Sequence, residues 1–126
     1  MQRAHHMQYL AWFELGRTEL LRAAGVAYSE IEREGVMLPV SNVEVEYRGA
    51  VGYDELVDIE TRVIVVRSRT VTFSYLATRA ETGEELAVGS TRLVCTDAVG
   101  KPKRIPRHLI DVLESLVVAD SGWPEP

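Results

Sequence analysis

Chemistry in this chain could begin near its start, where His5, His6, Gln8 and Glu14 fall close together. Imidazoles can ligate a metal or move a proton, but no Asp or Cys spacing completes a zinc site around the two histidines. They read as solvated or interfacial residues, and no metal is expected. Glu14 stands eight residues after His6, about two helical turns, and could share a face with it. As a general base it would need a raised pKa and reach to a water beside the reacting carbon. Its alternative is a structural carboxylate paired with Arg17 or Thr18. Further on, Arg67-Ser68-Arg69 offers guanidinium forks and a hydroxyl, a set suited to phosphate oxygens or to an ordinary charged turn. Lys101, Lys103, Arg104 and Arg107 form a second basic cluster, which reads as a solvated face able to assist a nucleotide phosphate. Cys95 is the single cysteine; within a strand pattern it reads as a small packed hydrophobe.

Elements must position these groups. Tyr9, Phe13, Gly16, Leu20 and Ala24 recur at three- and four-residue steps and lay an apolar stripe along a helix ending at Gly25, a fitting C′ residue. Leu10, Ala11 and Leu21 broaden the stripe, so the helix should be largely buried. Trp12 and Phe13 read as core or interface packing. Gly16 costs roughly 1 kcal/mol against Ala inside a helix. It makes sense where the helix backbone lies close against another surface. Ser29 and Glu32 have capping-box spacing, predicting a short helix over 29–34 stopped by Gly35.

From there the period becomes two. Val43, Val45 and Tyr47 form one buried strand face, with Pro39 at its entry. Gly49 to Asp54 reads as a connection. A strand carrying Val57, Ile59, Thr61, Val63 and Val65 turns apolar on both faces at 63–66, which predicts a central position. Val71, Phe73, Tyr75 and Ala77 define a third strand. Gly83 serves a hairpin turn, and residues 86–96 form a fourth strand around Ala87, Gly89, Thr91, Leu93 and Cys95. A turn over 97–100 precedes a short strand expected over 101–105. Pro106 opens a helix bearing Leu109, Val112, Leu113 and Leu116, and a frayed tail is expected over 121–126. The order predicts an α+β fold whose long helix covers one sheet face. Exposed edge strands would be protected by pairing across a dimer axis.

The 126 residues should form one domain, 1–126, with 46% hydrophobic and 26% charged residues, a soluble globular composition. A net charge of −5 argues against wrapping nucleic acid. No apolar run spans a membrane and no signal-peptide core opens the chain, so a cytoplasmic protein is expected.

The segment His6-Met7-Gln8-Tyr9-Leu10-Ala11-Trp12-Phe13-Glu14, with Arg17, closely resembles the central-helix opening of hotdog-fold acyl-CoA thioesterases. Nearest is the 4-hydroxybenzoyl-CoA thioesterase-like family, where this region commonly reads His-Ala-Asn-Tyr-Leu-x-Trp-Phe-Glu-x-x-Arg. The likeness continues through 20–25, Glu34-Gly35 and Tyr53-Asp54-Glu55-Leu56. It implies a sheet wrapped around the long helix, dimers joined sheet to sheet or paired into tetramers, and sites at the dimer interface. It implies hydrolysis of an acyl-CoA or acyl carrier protein thioester, with water as nucleophile and no cofactor. The backbone N–H of His6 would bind the oxyanion, Gln8 and Glu14 would serve the catalytic site, and His5 and Tyr9 would contact substrate. Arg67, Ser68 and Arg69 would meet the CoA phosphates. The family's aspartate, in an Asp-x-x-Gly pattern before the helix, would fall ahead of Met1 together with the first strand. The alternative expectation is therefore a non-catalytic acyl-CoA-binding or structural hotdog protein.

Overall fold

The computed structural model describes residues 6–52 and 54–118. Helix α1 (His6–Ala23) and helix α2 (Tyr28–Arg33) precede strands β1 (Val40–Tyr47), β2 (Val57–Val66), β3 (Thr70–Arg79) and β4 (Glu85–Val94), and helix α3 (Arg107–Ser115) follows. The strands form one antiparallel sheet in the order β1-β4-β3-β2. One long helix against such a sheet is the hotdog arrangement that the resemblance implies.

α1 ends as expected. Gly25 takes φ +90°, a left-handed conformation that costs a side-chain-bearing residue more than glycine. Its N–H and that of Val26 close the last turn on Arg22 and Leu21 carbonyls, at 2.9 and 2.8 Å. Gly16 lies hard against β2, where an added Cβ would collide with the Thr61 hydroxyl and touch Ile59 at 3.3 Å. Here the helix penalty is offset by close approach of helix to sheet. The stripe that enters the core is offset from the expected one: Tyr9, Phe13, Arg17 and Leu21 are buried, while Ala11 is exposed. Phe13 stacks on Tyr75 with centroids 4.2 Å apart and rings 7° from parallel. It also fills the space that the missing side chain of Gly89 leaves on β4.

β3 carries the expected face, with Val71, Phe73, Tyr75 and Ala77 all buried; opposite them lie Leu93, Thr91, Gly89 and Ala87 of β4. α3 adds Leu109 and Leu113 to the same core.

Four expectations need correction. α2 starts one residue earlier, at Tyr28, with Ala27 as N-cap and no side-chain cap bond, so Ser29 and Glu32 sit inside the helix rather than forming a capping box. β1 is mostly exposed rather than half-buried, Val43 at 40% and Tyr47 at 47%, because it is an edge strand that α1 covers only in part, as where Tyr9 meets Tyr47. β2 is likewise an edge strand rather than a central one. A register shift between Val63 and Val65 turns Val65 outward, which explains an apolar run on both faces without a second layer. The segment 101–105 forms no strand, only a bridge from Pro102 to Thr96. Past α3, the Val118 N–H donates to the Val63 carbonyl at 3.2 Å and Val117 lies parallel to Val63, covering part of the β2 edge. The tail expected to fray over 121–126 lies outside the described residues.

Candidate active site

His6 is the first residue of α1. The opening N–H groups of a helix have no partner within it and sit at the positive end of its dipole. No acidic side chain occupies the first turn of α1, so none of its own carboxylates neutralises that end. His5 lies outside the described residues. Gln8, two residues further on, is exposed. Tyr9, expected to touch substrate, is 1% exposed instead. Its ring packs edge-on against Trp12 at 5.0 Å and Tyr47 at 5.3 Å. Its buried hydroxyl has no hydrogen-bond partner among the described residues, and burial above all raises its pKa.

The cations at this end of the sheet are engaged. Arg79 pairs with Glu55 and with Glu84 at 3.2 Å, and donates to the Ala50 carbonyl at 2.8 Å. Arg48 pairs with Glu85 at 2.8 Å and Glu46 at 3.5 Å. The described arginines nearest the tip of α1 are thus already held by carboxylates and a carbonyl.

Two clefts flank α1. One, about 630 Å³, runs between α1 and β2 and is lined by Trp12, Leu15, Leu20, Val57 and Ile59, with Glu19, Asp58 and Glu60 at its rim. The other, about 540 Å³, lies between α1, α2 and the approach to β1, and is lined by Glu14, Arg17, Thr18, Tyr28, Glu32 and Met37 to Pro39. Glu14 is thus placed on a cleft, and its backbone carbonyl accepts the Thr18 hydroxyl at 2.8 Å. Arg17 does not pair with Glu14 as expected. It runs inward, 7% exposed, and donates to the Tyr75 hydroxyl at 3.4 Å. Tyr75 in turn shares a 2.6 Å hydrogen bond with Thr91.

Arg67, Ser68 and Arg69 form the exposed turn between β2 and β3. That turn lies at the opposite end of the sheet from the α1 tip, separated from it by most of a ten-residue strand, or roughly 30 Å. Within one chain His6 and the arginines are not brought together. The two basic clusters, by contrast, are joined. The Ile105 N–H donates to the Ser68 carbonyl and the Cys95 N–H to the Arg69 carbonyl, both at 2.8 Å, and the Lys103 N–H to the Cys95 carbonyl at 2.9 Å. Sequence spacing gave no sign of this junction, nor of the burial of Arg17. Cys95 is fully buried and burial pushes its thiol pKa up, which leaves it a packing residue. Among the described residues no cluster of His, Cys, Asp or Glu could hold a metal ion, and no helix is long and apolar enough to cross a membrane.

One long helix with no acidic side chain in its first turn, set on an antiparallel sheet and flanked by clefts, is the arrangement of the hotdog class of folds. The family model described as the thioesterase-like superfamily matches residues 1–113. A putative esterase of Aquifex aeolicus is 30% identical over 87% of this chain and 84% of its own length. A solved hypothetical protein of Thermus thermophilus superposes with a TM-score of 0.84 at 32% identity, covering 93% of this chain and 86% of that one. A DHNA-CoA thioesterase of Staphylococcus aureus superposes with a TM-score of 0.80 at 30% identity, covering 88% and 74% respectively. The chain belongs to the thioesterase-like superfamily and is a hotdog-fold thioester hydrolase.

Proposed function

We propose that this protein hydrolyses acyl-CoA thioesters at sites completed by a second copy of the chain. The observation that carries this reading is the place of His6 at the head of α1. With the thioester carbonyl against that tip, the His6 N–H would hold the oxyanion that forms when water attacks. Collapse of the tetrahedral intermediate then breaks the C–S bond, releasing the free acid and the CoA thiol. Exposed Gln8, Ala11 and Glu14 and half-buried Thr18 follow one another at helical steps along α1, giving the acyl group a path from the tip to the Glu14–Arg17 cleft. Glu14 lies about 12 Å along the helix from His6, out of reach of a water at its own tip. As general base it would serve a carbonyl held at the second copy's tip; Gln8 orients the substrate. His5, the residue before the helix in sequence, is assigned to lining the substrate site, with the buried Tyr9 packed behind the tip.

The second copy is supported by β1. Val40, Val43 and Tyr47 are each at least 40% exposed on the side of the sheet that α1 covers elsewhere, along an edge strand. Edge pairing with another β1 would cover them. It would also let the basic turn of one copy serve the tip of the other, which no single chain allows. Arg67, Ser68 and Arg69 would then hold the CoA phosphates. A dimer, alone or paired into a tetramer, is the working unit.

Steady-state assay against a panel of acyl-CoAs, with released CoA detected by a thiol reagent, tests the reading. Turnover is expected, and Glu14→Gln should lower kcat by about 10²–10⁴-fold. CoA binding with hydrolysis at the background rate would overturn the enzymatic assignment in favour of a binder, and a loss under tenfold in Glu14→Gln would remove Glu14 as base. Replacing Arg67 and Arg69 together by Ala should raise KM and flatten its dependence on salt. Unchanged KM refutes the phosphate assignment. An acyl carrier protein thioester is the rival acyl donor, excluded by a lower kcat/KM than for the matched acyl-CoA.

A further inference from the structure

The floor of the cleft between α1 and α2 carries a group that the proposed hydrolysis does not use. Arg17 is 7% exposed, yet forms no ion pair among the described residues, whereas Arg22, Arg48, Arg62 and Arg79 each hold a carboxylate. A guanidinium has five N–H donors and no acceptor. Here one donor makes a long bond to Tyr75, and the buried Nε has no partner among the described residues. Tyr75 already spends its short bond on Thr91. The Tyr28 hydroxyl faces the same guanidinium, is buried, and finds no well-formed hydrogen bond among the described residues. Burial raises the pKa of both phenols against the lowering influence of Arg17, so they stay neutral near pH 7 and supply no counter-charge. Glu14 and Glu32 stand at the mouth of the cleft, and both are exposed.

A buried cation with donors to spare calls for an acceptor delivered from outside. The cleft gives the means of delivery. Arg17 lies eleven residues beyond His6, about 16 Å along the helix axis, and Met37, Leu38 and Pro39 line the cleft beside it. We propose that this cleft receives the far end of a medium-length acyl group carrying an oxygen acceptor, a carboxylate or a hydroxyl, held by Arg17 and Tyr28. The inference rests on the acyl path described above and adds the class of acyl group. Arg17 and Tyr28 become specificity-determining residues, and the acidic mouth disfavours a carboxylate that stops short of Arg17.

The test compares kcat/KM for three acyl-CoAs of equal, medium chain length: unsubstituted, ω-hydroxy and ω-carboxy. At least one ω-oxygenated substrate should exceed the unsubstituted one by about tenfold or more, and which of the two does so identifies the group. Arg17→Met and Tyr28→Phe should each narrow that ratio, and Arg17→Lys should restore part of it for the carboxylate alone. Because Arg17→Met could disturb the core, the wild-type protein is also titrated with a free medium-chain dicarboxylate while the Arg17 Nε–H resonance is followed. A saturable shift supports the site even if no acyl-CoA is hydrolysed, in which case only the hydrolytic reading falls. Hydrolysis of the unsubstituted substrate at least as fast as both others, with an unmoved Arg17 resonance, overturns the inference and leaves hydrolysis standing.

Discussion

The two ends of the sheet treat charge in opposite ways. At the α1 tip every described arginine is spoken for: Arg79 ties together Glu55, Glu84 and the Ala50 carbonyl, and Arg48 bridges Glu46 and Glu85. At the far end, Arg67, Arg69, Lys101, Lys103, Arg104 and Arg107 gather without one ion pair among the described residues, in a chain of net charge −5. The first arrangement fastens loops and leaves the helix terminus as the uncompensated positive feature. The second leaves a positive field open to solvent, the state that the proposed phosphate contacts would require. Structure is held at one end and charge is kept available at the other.

If that division is right, removing a cation should cost stability at the tip and binding at the turn. The largest stability effect is expected from Arg79→Ala, because the Arg79 side chain is only 16% exposed and holds two carboxylates and a carbonyl. Its loss should destabilise by about 1–3 kcal/mol, read as a lower denaturation midpoint with unchanged m-value. A loss below about 0.5 kcal/mol would show that these ion pairs do not fasten the loops. Arg48→Ala removes a more exposed pair, 31% and 43% for Arg48 and Glu85, and should cost less than Arg79→Ala, by an amount that shrinks with added salt. Equal losses for the two variants would erase the distinction between a half-buried clamp and a surface pair.

The amino-acid sequence makes the scaffold legible where periodicity is local. The face of β3, the end of α1 at Gly25 and the close approach at Gly16 follow from spacing and residue type alone. The site is less legible because its parts meet through tertiary contacts. Arg17 reads as a neighbour of Glu14 until Tyr28 from α2 and Tyr75 from β3 close over it. Arg67 and Lys103 belong to separate clusters until Ile105 and Cys95 dock on the intervening turn. The alternation of Val43, Val45 and Tyr47 announces a buried face but not whose surface buries it. β1 therefore reads the same whether its cover is this chain or another copy. Val65 shows the converse, an apolar residue turned outward by a bulge that no alternation rule anticipates.

Asp97 is the exception that sharpens the contrast, since it is a carboxylate seated within the basic end. Its Oδ1 accepts the N–H groups of Val99 and Lys101, both at 2.9 Å, and so is turned onto its own loop rather than onto the cations. The Lys101 N–H bond lowers its pKa first, with the Val99 and Gly100 N–H groups and the Lys103 charge acting in the same direction and burial opposing. The folded pKa is thus depressed below the ordinary 3.8. The stabilisation this brings is complete above that value and is lost as pH falls through the folded pKa. Asp97→Asn should therefore be slightly less stable than wild type at neutral pH, with the gap closing below about pH 4. The same substitution removes one negative charge from the basic end, so CoA should bind somewhat more tightly at low salt and no differently at high salt. A stability gap that persists into strong acid would mean that turn geometry, not charge, is what Asp97 contributes. CoA affinity indifferent to the lost charge would place the phosphates elsewhere and break the contrast between the two ends.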